Sequence, residues 1–91
     1  MTSPRVPLFL GYIGANVRRL RRKRGMTQEE LAEAAELDLT FVQRIELAKT
    51  NLGVAALVTI ADALEVPPGA LFRKAALPEV KRGRPRKGRA R

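Results

Sequence analysis

The 91-residue sequence predicts an all-α fold of five short helices followed by a basic tail. Apolar residues recur three and four positions apart, which is the spacing of one face of a helix. No segment shows the apolar–polar alternation of a half-buried strand, and a helix-start signal at Thr27 and Glu30 precedes an apolar stripe. A chain of this length can bury one small core, so we expect a single domain.

Gly25 separates the first two predicted helices. The apolar stripe of the first helix consists of Ile13, Val17 and Leu20. Thr27 and Glu30 have the spacing of a capping box, in which each side chain accepts a hydrogen bond from the backbone N–H of the other residue. We expect the buried side of the second helix to be formed by Leu31, Ala34 and Ala35.

Asp38 is a suitable N-cap for a third helix that runs to about Leu47. Its inward residues are Val42 and Ile45, and its outward residues are Thr40, Gln43 and Arg44. The buried positions of a fourth helix are Val54, Leu57, Val58, Ala61 and Leu64. Pro67 and Pro68 end that helix and suit the first turn of a short fifth one over residues 69–73. We therefore expect an N-terminal arm at 1–11, a domain at 12–74 and a disordered tail at 75–91.

Composition excludes several classes of function. The chain has no Cys, no His and one Ser, so disulfides, zinc sites and Ser-His or Cys-His nucleophiles are excluded, and we expect no enzyme, no metal and no cofactor. The net charge is +9, with seven basic residues and no acid in 81–91 and a second basic block at 18–24. This distribution implies a polyanionic partner. No apolar run is long enough to span a membrane, so we expect no membrane partner and a cytoplasmic protein at the nucleoid.

Residues 13–46 and 51–72 resemble the lambda-repressor-like (Xre/Cro) helix-turn-helix family. The resemblance implies a five-helix bundle that binds double-stranded DNA, usually as a homodimer on an inverted repeat. Residues 37–46 and 50–54 are similar in particular to the small controller proteins of restriction–modification systems. The implied function is a sequence-specific transcriptional regulator whose helix at about 38–47 lies in the major groove.

The outward residues of the third helix are the candidates for reading bases. Arg44 can pair with guanine, Gln43 with adenine, and Thr40 can contact a thymine methyl group or a phosphate. Leu39 stands where many relatives place Arg or Gln, so it is included among the base-contacting positions. A solvated surface role remains the alternative for each of these side chains.

The residues that we expect to contact DNA phosphates lie before and after this helix in the sequence. Gln28 lies in the first turn of the second helix, where backbone N–H groups and the positive helix end suit a phosphate. The full set is Arg18, Thr27, Gln28, Lys49 and Asn51. The resemblance also implies a structural ion pair between Arg21 and Glu46.

The chain departs from the family pattern around the recognition helix. Glu36 replaces the Gly of the turn, which requires a non-Gly residue in a left-handed or otherwise unusual backbone conformation there. Phe41 replaces the usual Tyr and lacks its hydroxyl. Either the helix reads thymine methyl groups and DNA shape, or Leu39 and Leu47 contact a protein partner.

The tail contains a short segment that resembles the core of an AT-hook, Arg82, Gly83, Arg84, Pro85 and Arg86. Gly lets the backbone approach the floor of a narrow minor groove, Pro keeps the chain extended, and Arg side chains follow the negative potential of A/T-rich DNA. The alternative is a basic tail that binds DNA nonspecifically, or RNA or an acidic protein.

Two other functions remain open at this point. One is a protein-interaction module, such as an antitoxin-like subunit or a DNA-tethered adaptor. The other is an architectural nucleoid protein. For a homodimer, the candidate apolar surfaces are Leu71 with Phe72, or the segment Val6–Leu10.

Overall fold

The structure, a computed structural model, describes residues 3–77 and contains four α-helices with no strand in that range. The helices are α1 (Val6–Lys23), α2 (Gln28–Ala35), α3 (Leu39–Glu46) and α4 (Gly53–Leu64), and a 3-10 helix covers Pro68–Phe72. The all-α class is therefore confirmed for this part of the chain. None of the helices in residues 3–77 is long and apolar enough to cross a membrane.

Both ends of the predicted domain differ from expectation. Helix α1 already begins at Val6, with Pro7 in its first turn, so residues 6–11 are helical and do not form an arm. Pro is well suited there, because the first N–H groups of a helix have no intrahelical acceptor. The expected fifth α-helix is instead a 3-10 helix, in which the Ala70 N–H donates to the carbonyl oxygen of Pro67 at 2.9 Å. The segment 78–91, including the AT-hook-like residues, lies outside the described part.

The core lies between all four helices and the 3-10 helix, and two expected core faces are partly wrong. In α2, Ala32 is buried and Ala34 is exposed. In α4, Ile60 is buried, whereas Val54 is 75% exposed and Val58 is also exposed. The fully buried large side chains are Val17, Leu31, Val42, Ile45, Ile60, Leu64 and Leu71, together with Asn16.

Gly14 allows α1 to pass close to the end of α3. A Cβ atom at this position would lie 2.6 Å from the carbonyl oxygen of Ile45 and 2.9 Å from that of Glu46. Any side chain would therefore push the two helices apart. This close approach fixes the C-terminal end of α3 against α1.

The backbone of the connection between α2 and α3 has the unusual conformation that was expected. Glu36 has φ 56° and ψ 45°, in the left-handed region, which confirms the expectation for this position. The N–H of Leu37 donates to the carbonyl oxygen of Ala32 at 2.9 Å, which closes the last turn of α2. Asp38 has the extended backbone of an N-cap, but its side chain makes no capping hydrogen bond. The chain thus turns sharply and presents α3 beside α2.

Candidate DNA-binding surface

Helix α3 is held by two core residues and turns its polar side chains outward. Val42 and Ile45 are buried, whereas Thr40, Gln43 and Arg44 are exposed. These three are the predicted base-reading residues, and the structure places them on the outer side of one short helix. The guanidinium Nη2 of Arg44 donates to the carbonyl oxygen of Lys49 at 3.2 Å, so this side chain lies along the C-terminal end of α3.

Leu39 lies differently from the other predicted base-reading residues. Its side chain is half-buried and packs against the core cluster, as does Phe41. Leu39 therefore offers less surface to a ligand than its position suggested. At the opposite, C-terminal end of α3, Leu47 is an apolar residue whose surface is 63% exposed.

A buried ion pair connects α3 to α1. The Nε of Arg21 lies 2.6 Å from Oε2 of Glu46, and its Nη2 donates to Oε1 of Glu46 at 3.1 Å. The Arg21 Nη1 also donates to the carbonyl oxygen of Met26 at 2.8 Å. The side chains of Arg21 and Glu46 are only 9% and 3% exposed. The structure thus brings together the two residues for which a structural ion pair was expected.

The environment of Arg21 keeps it charged. The hydrogen bond to Glu46 raises the pKa of Arg21 above its ordinary value; burial opposes this effect, and the negative charge of Glu46 adds to it. Because the folded-state pKa is raised, the contribution of this guanidinium to stability is fully present below its unfolded-state pKa. That contribution is lost only when the pH rises through the folded-state pKa, at strongly alkaline pH.

Gln28 extends this cluster to α2. Its Nε2 donates to Oε1 of Glu46 at 3.0 Å, so Gln28 is not a simple solvated side chain. An amide NH₂ group has two N–H donors. One N–H is engaged by Glu46, and the other can donate to a phosphate whose position the first bond helps to define.

Thr27 begins α2 with the expected capping box. The N–H of Glu30 donates to Oγ1 of Thr27 at 3.0 Å, and the N–H of Thr27 donates to Oε1 of Glu30 at 2.8 Å. The capping-box prediction is confirmed. The hydroxyl oxygen of Thr27 accepts in this box, which leaves the hydroxyl proton for an outside acceptor.

These elements together line one open groove with a volume of about 580 Å³, called the α1–α3 groove below. Its lining residues are Arg18, Arg21, Arg22, Thr27, Gln28, Gln43, Glu46 and Leu47. Three predicted phosphate residues and one predicted base reader therefore share a single concave surface. The remaining two, Lys49 and Asn51, are exposed beyond the C-terminal end of α3 and do not line the groove.

Arg22 is a groove residue that the predicted set omitted. It lies four positions after Arg18, and residues at this spacing project from the same side of a helix. That spacing is the sequence signal that identifies it. The guanidinium groups of Arg18 and Arg22 give the groove a basic wall.

The part of the chain that carries these residues matches a known protein family. A family model of helix-turn-helix proteins, HTH_3, matches residues 17–71, which is more than half of the chain. The chain belongs to this family. The matched range of the HTH_3 domain contains every residue of the α1–α3 groove. The family expected from the sequence is confirmed.

Individual proteins resemble the HTH_3 domain over most of its length. The uncharacterized HTH-type transcriptional regulator y4dJ of Sinorhizobium fredii (strain NBRC 101917 / NGR234) is 35% identical over 54 residues, which are 59% of this chain and 70% of y4dJ. The restriction-modification controller protein C.AhdI from Aeromonas hydrophila is 33% identical, with a TM-score of 0.67 over 69% of this chain and 96% of C.AhdI. The hypothetical transcription factor NHTF from Neisseria is 31% identical, with a TM-score of 0.69 over 70% of this chain and 72% of NHTF.

Proposed function

We propose that the protein is a transcriptional regulator that binds double-stranded DNA sequence-specifically, with α3 in the major groove. The observation that carries this proposal is the division of α3 into two sides. Val42 and Ile45 anchor it in the core, and Thr40, Gln43 and Arg44 project from the surface. A helix held in this way can enter the major groove, which accommodates one α-helix.

The exposed residues of α3 account for selectivity in this proposal. Arg44 binds guanine through two hydrogen bonds, Gln43 binds adenine, and Thr40 contacts a thymine methyl group. The bond from Arg44 to the Lys49 carbonyl, at 3.2 Å, is exposed and can be exchanged for a base edge. Replacement of Arg44 by Ala should relax selectivity at one base pair, at a cost of about 1–3 kcal/mol for that base pair.

The α1–α3 groove accounts for much of the phosphate binding. Arg18 and Arg22 supply charge, and Gln28 and Thr27 supply directed donors at the start of α2. Segment 27–46 is itself net acidic, so affinity depends on the basic residues that flank it. In the proposed complex the AT-hook-like residues 82–86 add contacts in an A/T-rich minor groove.

We propose that the protein acts as a homodimer. One domain reads few base pairs, so a second copy adds the selectivity that a regulator needs. The two candidate apolar surfaces meet in the structure, because Leu10 and Phe72 line one groove together with Val54 and Leu57. The exposure of Val54 and Phe72 supports a partner surface at this place.

Selection from random duplexes tests the proposal, with the full-length protein and a version that ends at Val80 compared at one salt concentration. An inverted-repeat motif that survives truncation is the expected result. If only A/T-richness is enriched, and enrichment disappears without the tail, the protein is an architectural nucleoid protein instead. The Arg44→Ala variant adds a local test, since equal weakening on all sequences would reduce Arg44 to a phosphate contact.

The exposure of Leu47 favours a second candidate function. A 63% exposed leucine beside the α1–α3 groove suits contact with a protein, as in an antitoxin-like subunit or a DNA-tethered adaptor. The selection distinguishes this candidate as well. If the second candidate function is correct, neither protein version enriches any DNA sequence. The protein then has a stoichiometric protein partner, which the Leu47→Ser variant no longer binds.

A further inference from the structure

Three basic residues lie together outside the α1–α3 groove. Arg19 of α1, Arg73 and Lys74 are exposed and line one open depression of about 430 Å³, called the Arg19 patch below. The rest of its lining is alanine and Asn16, so no acidic side chain faces it. Within residues 3–77, none of the three cations forms an ion pair with a carboxylate. The patch therefore presents three positive charges that this part of the protein does not neutralise.

The buried side chain of Asn16 holds two sides of the patch together. Its Nδ2 donates to the carbonyl oxygens of Leu71 at 3.0 Å and of Arg73 at 2.9 Å. Its Oδ1 accepts a hydrogen bond from Nη2 of Arg19 at 3.2 Å. Asn16 is only 1% exposed, and a buried amide without these partners would be costly. Arg19 and the backbone of Arg73, which are far apart in the chain, are thus fixed side by side.

The Arg19 patch is continuous with the proposed DNA-binding surface. Arg19 lines a second depression together with Arg18 and Arg22, and no acidic side chain lines this depression either. Arg18 and Arg22 also line the α1–α3 groove. Successive residues of an α-helix project about 100° apart, so the arginines at 18 and 19 point to neighbouring sides of α1. The basic surface therefore runs from the groove around α1 to Arg73 and Lys74.

The size of this surface matches a strand of DNA. An α-helix with its side chains is about 10–12 Å wide. Phosphates of one DNA strand follow one another at a rise of about 3.4 Å, so about three of them span the width of α1. Three cations without internal partners suit three phosphates in succession.

We propose that the Arg19 patch binds the sugar-phosphate backbone of the DNA that flanks the half-site of α3 on the same duplex. The strand that contacts Arg18 and Arg22 in the groove continues over α1 to Arg73 and Lys74. This proposal rests on the proposed function, because it needs α3 in the major groove. Contacts to phosphates carry no sequence information, so the patch adds affinity and fixes the orientation of the domain.

Ethylation interference, which identifies the phosphates that a protein needs for binding, tests this proposal. The duplex carries the motif found by selection and about ten G/C-rich base pairs at each end, so that the flanks offer no A/T-rich minor groove to the tail. The slope of the logarithm of the binding constant against the logarithm of salt concentration is measured on the same duplex.

Full-length variants are compared with the unaltered chain. The patch variant carries Arg19→Gln, Arg73→Gln and Lys74→Gln. The matched control loses the same charge at exposed residues outside the patch and the α1–α3 groove, through Arg5→Gln, Lys23→Gln and Arg24→Gln. A further variant, Lys74→Glu, changes one exposed side chain and leaves the hydrogen bonds of Asn16 in place. Thermal melting confirms that each variant is folded.

The unaltered chain and the control should show interference at the phosphates of the half-site and at about three consecutive phosphates beyond it. The patch variant should lose interference at these outer phosphates alone. Its salt slope should become less steep by about 2.7, at about 0.9 for each phosphate contact. Lys74→Glu should weaken interference at one of the outer phosphates and reduce the slope by about 1.

Failure of this proposal differs from failure of the proposed function. Outer interference that is absent from the unaltered chain, or that persists in the patch variant, would overturn the role of the patch and leave the regulator proposal intact. Uniform weakening at every phosphate would also overturn it, because only net charge would then matter. If selection yields no half-site motif at all, the proposed function fails, and the role of the patch with it.

Discussion

Gly14→Ala tests whether close contact between α1 and α3 positions the recognition helix. The added methyl carbon would lie 2.6 Å and 2.9 Å from two backbone carbonyl oxygens of α3, well inside ordinary contact distance. Backbone oxygens cannot rotate away as side chains do, so the end of α3 must move by several tenths of an ångström or more. Glu46 lies at this end, and its ion pair with Arg21 would be strained by the same movement.

The change in the free energy of unfolding on Gly14→Ala follows from two opposing contributions. Extra atoms in a well-packed interior cost about 1–3 kcal/mol. Ala is better than Gly within a helix by about 1 kcal/mol, which offsets part of this cost. Gly11→Ala is the matched control, because Gly11 lies in the same helix and its added methyl would meet only the movable end of Leu77 at 3.3 Å. The difference between the two variants isolates the backbone clash.

Thermal melting followed by circular dichroism measures the two variants. We expect Gly11→Ala to melt at or above the unaltered protein and Gly14→Ala to melt clearly below it. A difference of about 2 kcal/mol between them corresponds to about 8–16 °C in Tm for a domain of this size. If Gly14→Ala melts within about 2 °C of Gly11→Ala, on the same scale, the contact does not constrain α3 and the reasoning is refuted.

Three further predictions concern the ion pair, the turn and the buried amide. Arg21→Met and Glu46→Met should each cost about 3 kcal/mol, because each leaves a buried charge without its partner, and the double variant should cost less than the sum. Urea denaturation measures this cycle, and strictly additive costs would contradict a coupled pair. Glu36→Gly should stabilise the protein by about 0.5–1 kcal/mol because it relieves the left-handed φ of 56°. Ala34→Gly, at an exposed position of α2, should destabilise by about 1 kcal/mol, and equal effects of these two glycines would be inconsistent with backbone strain. Asn16→Leu should cost about 2–3 kcal/mol because two carbonyl oxygens lose their donor, and unchanged hydrogen exchange beyond residue 70 would count against this.

Local features of the HTH_3 domain were predictable from the sequence. The capping box at Thr27 and Glu30 depends on groups three residues apart, and the left-handed Glu36 follows from a turn that commonly contains Gly. The two sides of α3 follow from the spacing of Val42 and Ile45 along a single helix. The capping box and the two sides of α3 involve neighbours in sequence, so their residue types are sufficient to predict them. The unusual backbone at Glu36 was expected from the resemblance to the family, in which Gly occupies this turn position.

Other features depend on which helix packs against which. The sequence of α4 offers more apolar positions than one face can bury, and only its partners decide that Ile60 is inside and Val54 outside. In α2, likewise, the packing partners bury Ala32 and leave Ala34 exposed. Both residues of each pair are apolar, so hydrophobic spacing alone does not distinguish them.

The candidate site also combines features that the sequence predicted with features that only helix packing decided. The predicted phosphate residues Arg18, Thr27 and Gln28 do line one groove, but the bond from Gln28 to Glu46 joins residues 18 positions apart and was not predicted. Leu39 was grouped with the base-reading residues, yet it packs partly on the core. These outcomes depend on the relative placement of three helices.

By itself the sequence determined the helical class, the family, the polar outward side of α3 and the excess of positive charge, because composition and short-range spacing encode each of these. The tertiary structure alone decided that α1 passes α3 at Gly14, that Glu46 binds both Arg21 and Gln28, and that Ala76 and Leu77 line a surface depression together with Arg18 and Arg22. These contacts join segments far apart in the chain. Their geometry is set by close packing around a shared core, in which every helix position depends on all the others.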